Sequence, residues 1–237
     1  MFVLKCHLVA EIACNHDGDF GKAIRMVRES RLAGAHWVKV QYYRLETLGV
    51  TDPYLVRRLQ ECAFSLIEIR GLKEVAESEG LDFICTAMGD VETLMDYVRF
   101  VEPRLLKVRE ADGRKGDFVR AAVDTGVPGL ISFDPTKGHW RVPTESWRSL
   151  YCLPRYPPSE DDLDFFHLKH FDGFSSHFPN LRIPSWAWAF AKATGKEEFW
   201  LEIHVREDKD NDCLDYSVSL SLSDFGRVAS LVNEDTA

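Results

Sequence analysis

Two histidines stand where strands should end. His177 closes the run Gly173-Phe174-Ser175-Ser176-His177, and His204 lies in Phe199-Trp200-Leu201-Glu202-Ile203-His204-Val205. Imidazoles at the carboxyl ends of consecutive strands can converge on one divalent metal. In a closed ring of parallel strands this is also the end where reactive side chains collect. Two lysines inside apolar runs are the next costly residues: Lys39 in Trp37-Val38-Lys39-Val40-Gln41-Tyr42, and Lys107 in the run 105–110. A buried ammonium must be paired or hold an anion, so together they suggest a phosphate or carboxylate pocket.

Further polar residues sit at other predicted strand ends: Glu11 with Asn15 and His16, Gln41, Thr86, Glu110 and Asp112, Ser132, Tyr156, Ser175 and Asp215. Taken singly, each has a plain reading. Lys39 can snorkel or pair with Glu11, and Lys107 can pair with Glu110. Asp112 and Asp215 fall in charged segments where solvated carboxylates are the default, and Thr86, Ser132 and Ser175 are generic hydroxyls. His7, His36, His139, His167 and His170 read as ordinary core or surface residues. Trp186, Trp188 and Phe190, spaced by alanines, read as helix packing, and the charge run 207–212 as a solvated loop.

The elements that must position these residues alternate along the chain. Strands are predicted at 8–14, 37–42, 81–86, 105–110, 129–133, 150–153, 173–177 and 199–205. Helical periodicity falls between nearly all of them. Phe20, Ala23, Ile24 and Val27 share a face that ends at Gly34; Ser65 and Glu68 form a capping box ahead of a helix closed by Gly80; Asp90 caps another. Further helices carry Phe118 to Val123 up to Gly126, a stretch near 163–168, a segment from Ile183 to Thr194 ended by Gly195, and Phe225 to Val232. Only 134–148 breaks the rhythm, because Pro135, Gly138, Pro143 and two tryptophans interrupt any helical period, so an irregular loop is expected there. Eight strands with helical crossovers predict an α/β fold, a (β/α)8 barrel forming one domain over 1–237 with that irregular segment replacing the fifth helix.

Size and composition agree. The chain has 237 residues, 45% of them hydrophobic and 28% charged, which fits one large core. A net charge of -9 without a basic cluster argues against nucleic-acid binding. No Gly-x-Gly-x-x-Gly or Walker A loop follows the first strand. Six cysteines without a C-x-x-C pair read as buried free thiols of a reducing compartment. The N-terminus lacks a signal-peptide pattern and no run is long enough to span a membrane, so a cytoplasmic location is expected.

Several runs taken in order, Ala10-Glu11-Ile12-Ala13-Cys14-Asn15-His16-Asp17-Gly18, Val38-Lys39-Val40-Gln41, Phe83-Ile84-Cys85-Thr86, Tyr156-Pro157, Gly173 to His177 and Leu201-Glu202-Ile203-His204, resemble the catalytic barrel of the sialic acid synthase family. The resemblance implies a carbon-carbon bond-forming transferase that condenses phosphoenolpyruvate with the aldehyde of an N-acylated amino sugar, yielding a nine-carbon 2-keto acid and phosphate. It implies that His177 and His204 hold a divalent metal, manganese in type, and that Lys39 and Lys107 with Thr86, Ser132 and Ser175 grip phosphoenolpyruvate. By the same resemblance Asp112 and Asp215 are acidic catalytic groups, and Glu11, Gln41 and Tyr156 line the sugar side, Glu11 counting among the catalytic residues.

The family pattern is also broken in places. Glu110 stands where a small hydroxyl residue follows Lys107, and a carboxylate beside a phosphate repels it unless Arg109 neutralises it. Pro154 replaces an asparagine ahead of Tyr156-Pro157, Ser176 an aspartate, and Tyr216 a histidine. The family continues into an antifreeze-like domain that crosses a dimer, so the chain is expected to represent the barrel alone, with a homodimer as the family-based expectation. Two alternatives stay open: a divergent metal-dependent aldolase, lyase or hydrolase, and a non-catalytic member that binds a sugar phosphate or a protein partner.

Overall fold

Period-two alternation in every strand separates an apolar outer face from an inner face that is apolar low and polar high. In the computed structural model, which describes residues 4–138 and 141–234, those strands close on themselves. In chain order they are β1 (Lys5–Glu11), β2 (Trp37–Tyr43), β3 (Asp82–Met88), β4 (Leu106–Val108), β5 (Gly129–Phe133), β6 (Trp147–Cys152), β7 (Gly173–Ser176) and β8 (Glu198–Arg206). Each pairs in parallel with the next, and β1 pairs with β8 from Lys5↔Glu198 to Glu11↔His204. That last ladder makes the sheet a closed eight-stranded barrel, as expected. A two-residue β9 (Leu220–Ser221) extends β8.

The helices are α1 (Phe20–Leu32), α2 (Pro53–Glu61), α3 (Leu66–Ser78), α4 (Val91–Val101), α5 (Glu110–Gly113), α6 (Gly116–Asp124), α7 (Phe165–Leu168), α8 (Arg182–Ala193) and α9 (Leu222–Glu234). The Ser65 and Glu68 capping box opens α3, and Asp90 caps α4 through Thr93 N. Between β5 and β6 the described residues hold only a 3-10 turn (Pro135–Lys137), so the fifth helix is replaced by irregular chain. His139 and the first three residues of the N-terminus lie outside the described residues. Among those described, no helix is long and apolar enough to cross a membrane.

Differences from the sequence reading are local. β1 begins and ends three residues early, because its ladder with β8 starts at Lys5, and the chain leaves the sheet at Ile12. Ala13 and Asp17 then take positive φ values of 47° and 52° in a tight loop. β4 stops at Val108, where Arg109 swings into the short α5. β6 instead begins earlier, at Trp147, and takes in residues assigned to the loop. The helix α2 was passed over, although Asp52 caps it through Leu55 N and Pro53 sits at its first turn.

The outward strand residues, such as Leu8, Val38, Phe83, Val108, Phe174 and Leu201, join one large buried cluster with the helices. Inside the barrel, Val9, Ile84, Leu105, Leu130, Leu150 and Trp200 with Trp37 form a separate apolar plug. His7 stacks on Trp200 at 4.0 Å and accepts from the Trp37 indole at 3.3 Å, closing the amino-terminal end. The plug requires a missing side chain on β7, since a Cβ at Gly173 would lie 2.3 Å from Trp200 O and 2.6 Å from Leu150.

Gly173→Ala should therefore cost about 1–3 kcal/mol through overpacking, read as a lowered urea midpoint at unchanged slope. Gly116→Ala is the control: it starts α6 with open space around its Cβ position, and its midpoint should stay level or rise.

Candidate active site

Above the plug, the next inward layer is charged. Glu11 on β1 registers with Lys39 on β2 and with His204 on β8, and Ser175 on β7 registers with Glu202. Glu202 is the hub. Its Oε1 lies 3.2 Å from Lys39 Nζ and 3.7 Å from Lys107 Nζ, and accepts from Ser175 Oγ at 2.8 Å. Lys39 also forms an ion pair with Glu11 and donates to Thr86 Oγ1 at 3.2 Å, and Lys107 donates to Ser132 Oγ at 2.8 Å. All of these residues are buried, none above 4% exposed.

Two ammoniums and two carboxylates make the layer neutral in sum, the condition for keeping charges out of water. Burial works to protonate Glu202, but Lys107 and Lys39 outweigh it and hold its carboxyl at about 2. Burial likewise opposes the Lys39 ammonium, and Glu11 and Glu202 override it, raising its pKa above the ordinary lysine value. Lys107 has a weaker share of Glu202, so desolvation dominates and lowers its pKa.

The layer floors a cavity of about 440 Å³ at the carboxyl end of the barrel, a size suited to a small metabolite. His177 and His204 stand on its wall with ring centroids 5.0 Å apart. His177 Nδ1 lies 2.9 Å from Leu153 O and donates to it, which leaves Nε2 as a lone pair beside Tyr156 Oη at 3.3 Å. His204 Nδ1 is buried and makes no hydrogen bond. Desolvation first, then the neighbouring His204 for His177 and Lys39 for His204, drops both to about 3. Both imidazoles are therefore neutral at physiological pH, the form that ligates metal. Among the described residues no group of three His, Cys, Asp or Glu side chains converges for a metal. The donor set thus fits an ion that takes two imidazoles from the protein and its other ligands from water or substrate.

Of the residues expected from sequence, Lys39, Gln41, Thr86, Lys107, Ser132, Tyr156, Ser175, His177, His204 and Asp215 all line this one cavity. Asp215 arrives from a loop and is half-buried; desolvation raises its carboxyl to about 6, and it accepts from Cys14 N at 3.1 Å. Two of the expected residues lie off the cavity. Glu11 does not line the cavity: it lies beneath, tied to Lys39 and accepting from Ala13 N at 2.7 Å. Asp112 is buried behind the wall, where Arg109 at 2.5 Å and Lys115 at 2.8 Å hold both its oxygens. Arg109 and Glu110 face the cavity instead, and Glu110 is drawn off by an ion pair with Arg114. His16 stacks on Phe64 at 4.0 Å, away from the cavity.

The sequence reading missed Glu202 as a site residue. Its signal was present: a carboxylate inside an apolar strand, two residues before His204 and so on the same face.

No protein-family model matches the chain. Human N-acetylneuraminate-9-phosphate synthase is 26% identical over 256 aligned positions, covering 96% of this chain and 68% of the human one. Pseudaminic acid synthase of Campylobacter jejuni is 21% identical, covering 95% and 74% of the two chains. The chain is thus similar to the N-acetylneuraminate synthases over nearly its whole length. The barrel itself superposes on the crystal structure of N-acetylneuraminic acid synthetase from Leptospira borgpetersenii in complex with citrate, with a TM-score of 0.84 at 22% identity, over 98% of this chain and 84% of that one. The residues quoted for the family resemblance are thus carried on the fold of these synthases.

Two outcomes follow from the charge layer and the histidines. Glu202→Ala leaves two buried ammoniums short of a counter-charge and should lower stability by about 3–5 kcal/mol, whereas Ser175→Ala, which removes one neutral partner, should cost about 1 kcal/mol; urea titration distinguishes them. The depressed pKa values of His177, His204 and His16, each about 3 against an ordinary 6.5, mean that the unfolded chain binds more protons than the folded one between those limits. Stability should fall as pH drops from about 6.5 towards 3 in chelator-treated protein, and His204→Gln should flatten that slope.

Proposed function

We propose that the chain is a synthase that joins phosphoenolpyruvate to the open-chain aldehyde of an N-acylated amino sugar, in the manner of the N-acetylneuraminate-9-phosphate and pseudaminic acid synthases to which it is related. The observation that carries this reading is the pairing, in one cavity, of two neutral imidazoles with two lysines backed by three hydroxyls. One half suits an electrophile-activating ion and the other a phosphorylated carboxylate.

On this reading Lys39 and Lys107 bind the donor's charge, with Thr86, Ser132 and Ser175 satisfying its remaining oxygens. Glu202 pairs with both lysines and holds them at the cavity floor before the donor arrives. Preorganised cations of this kind stabilise charge without reorganising at the moment of reaction. His177 and His204 would hold a divalent ion, manganese by family resemblance, which would supply Lewis-acid polarisation of the acceptor aldehyde. Tyr156 and Gln41, which also line the cavity, orient the acceptor, and fixing both reactants in contact removes most of the entropic barrier. Asp215, with a carboxyl near 6, is placed to take or return a proton at neutral pH. Asp112 acts at one remove on this reading, holding Arg109 at the cavity edge.

The test is phosphate release from phosphoenolpyruvate with a panel of amino-sugar aldehydes and added manganese, together with the metal content of the purified protein. His177→Ala should lose both bound metal and turnover, the latter on the order of 100-fold. Equal metal in the two proteins removes the centre of the proposal. Because Asp215 ionises above about pH 6, kcat/KM should fall on the acid side of that value, and Asp215→Asn should abolish that limb. Phosphoenolpyruvate binding without turnover on any acceptor would instead favour a non-catalytic role.

A further inference from the structure

One wall of the cavity carries a feature that the proposed chemistry does not use. Cys14 lies in the loop after β1 and lines the cavity, and Cys62 is the C-cap of α2. Both are buried, at 2% exposure, in one small cluster with Tyr43 and Met88. The Cys62 thiol donates to Cys14 O at 3.5 Å, which sets its sulfur against the Cys14 backbone. The Cys14 sulfur lies 3.6 Å from Tyr43 Oη, and that hydroxyl donates to Leu59 O of α2 at 2.8 Å. The backbones are pressed together as well: a Cβ at Gly18 would come within 2.3 Å of Glu61 O.

Against this close approach, α2 is lightly held. None of its residues is fully buried, yet Leu59 and the preceding Leu48 and Val50 form part of the cavity wall. An element with few buried contacts sits at the low-stability end of a fold. A covalent tie between its end and the β1 loop would therefore change the wall more than a tie inside the core.

We propose that Cys14 and Cys62 are a peroxide-reactive dithiol that closes reversibly into a disulfide and clamps α2 against the cavity. Cys62 attacks as the thiolate, its proton passing to solvent; the peroxide O–O bond breaks, giving a Cys62 sulfenic acid and one water. The Cys14 sulfur then displaces the hydroxyl, forming the S–S bond and releasing a second water. Two thiols are oxidised by one peroxide, reduced to two waters, and an external dithiol reverses the process by exchange. The assignment of roles follows from position, Cys62 capping the lightly held α2 with its sulfur on Cys14 O and Cys14 lining the cavity, and the neighbouring Cys14 lowers the Cys62 pKa while that of Cys14 is raised. Cys14, facing the cavity, gives the reagent its path. The other four thiols are inert by comparison, burial pushing Cys152 and Cys213 up to about 12 and Cys6 and Cys85 higher still. The closed form draws the Cys14 sulfur away from Gln41 Oε1, now 3.9 Å away, and stiffens the loop whose Cys14 amide holds Asp215.

The test is independent of any substrate. Purified chain treated with stoichiometric hydrogen peroxide should lose about 2 Da and two of its six alkylatable thiols. Peptide mapping should place the bond between Cys14 and Cys62, and dithiothreitol should restore all six. Hydrogen exchange over α2 should slow several-fold in the oxidised form and recover on reduction. Cys62→Ser should give neither the mass loss nor the protection, and the wild-type mapping stands by itself if that variant misfolds. A cross-link spread over other cysteines, Cys62 driven to sulfinic acid without a bond, or unchanged exchange over α2 in the mapped disulfide would each overturn the proposal. Because none of these readouts measures turnover, their failure is separable from failure of the synthase reading.

Discussion

Two ammoniums and two carboxylates confined to one dry layer are the constraint on which this barrel depends. Any one of Glu11, Lys39, Lys107 and Glu202 alone would be too costly to bury. Together they cancel, and Glu202 serves both lysines through a single oxygen. Charge balance in turn dictates register, because Glu11 must stand beside Lys39 on β2 and beside His204 on β8 for the pairs to meet. A slip of one residue would turn the entire charged set outward into the apolar cluster beneath the helices.

That register divides the interior into a part that holds the fold and a part that can do chemistry. Low in the barrel, Trp37, Trp200 and their aliphatic neighbours fill the space so completely that Gly173 must lack a side chain. High in the barrel, the same inward positions carry Lys107, Ser132, Ser175 and the two histidines, and a cavity opens above them. The strands stay rigid on the plug below while the loops at their carboxyl ends supply Asp215 and Tyr156. This division explains why a site of fixed geometry coexists with a wall as loosely held as α2.

Much of the site was legible because strand periodicity reports which face a residue occupies. Lys39, Lys107, His177 and His204 stand out as polar residues in apolar runs, and all four meet in the cavity. Glu202 carries the same signal, two residues before His204 on the same strand face. Glu11 and Asp112 lie off the cavity for another reason: position at a strand end says nothing about what lies closer. Lys39 draws Glu11 under the floor, and Arg109 with Lys115 pins Asp112 behind the wall. The α2 helix was legible from Asp52 and Pro53, whereas the early start of β1 was not, since only the β8 ladder extends it to Lys5.

By itself, then, the sequence determined the eight-fold alternation, the place of the irregular fifth connection and the inventory of polar strand-end residues, since all three are set by spacings of a few positions along the chain. The tertiary structure alone decided which charges pair and which atoms face the cavity. Those outcomes join residues as distant as Lys39 and Glu202 or Cys14 and Asp215. They depend on barrel closure, which brings the first strand beside the last, and on the balance of desolvation against pairing inside it, a quantity that no local pattern records.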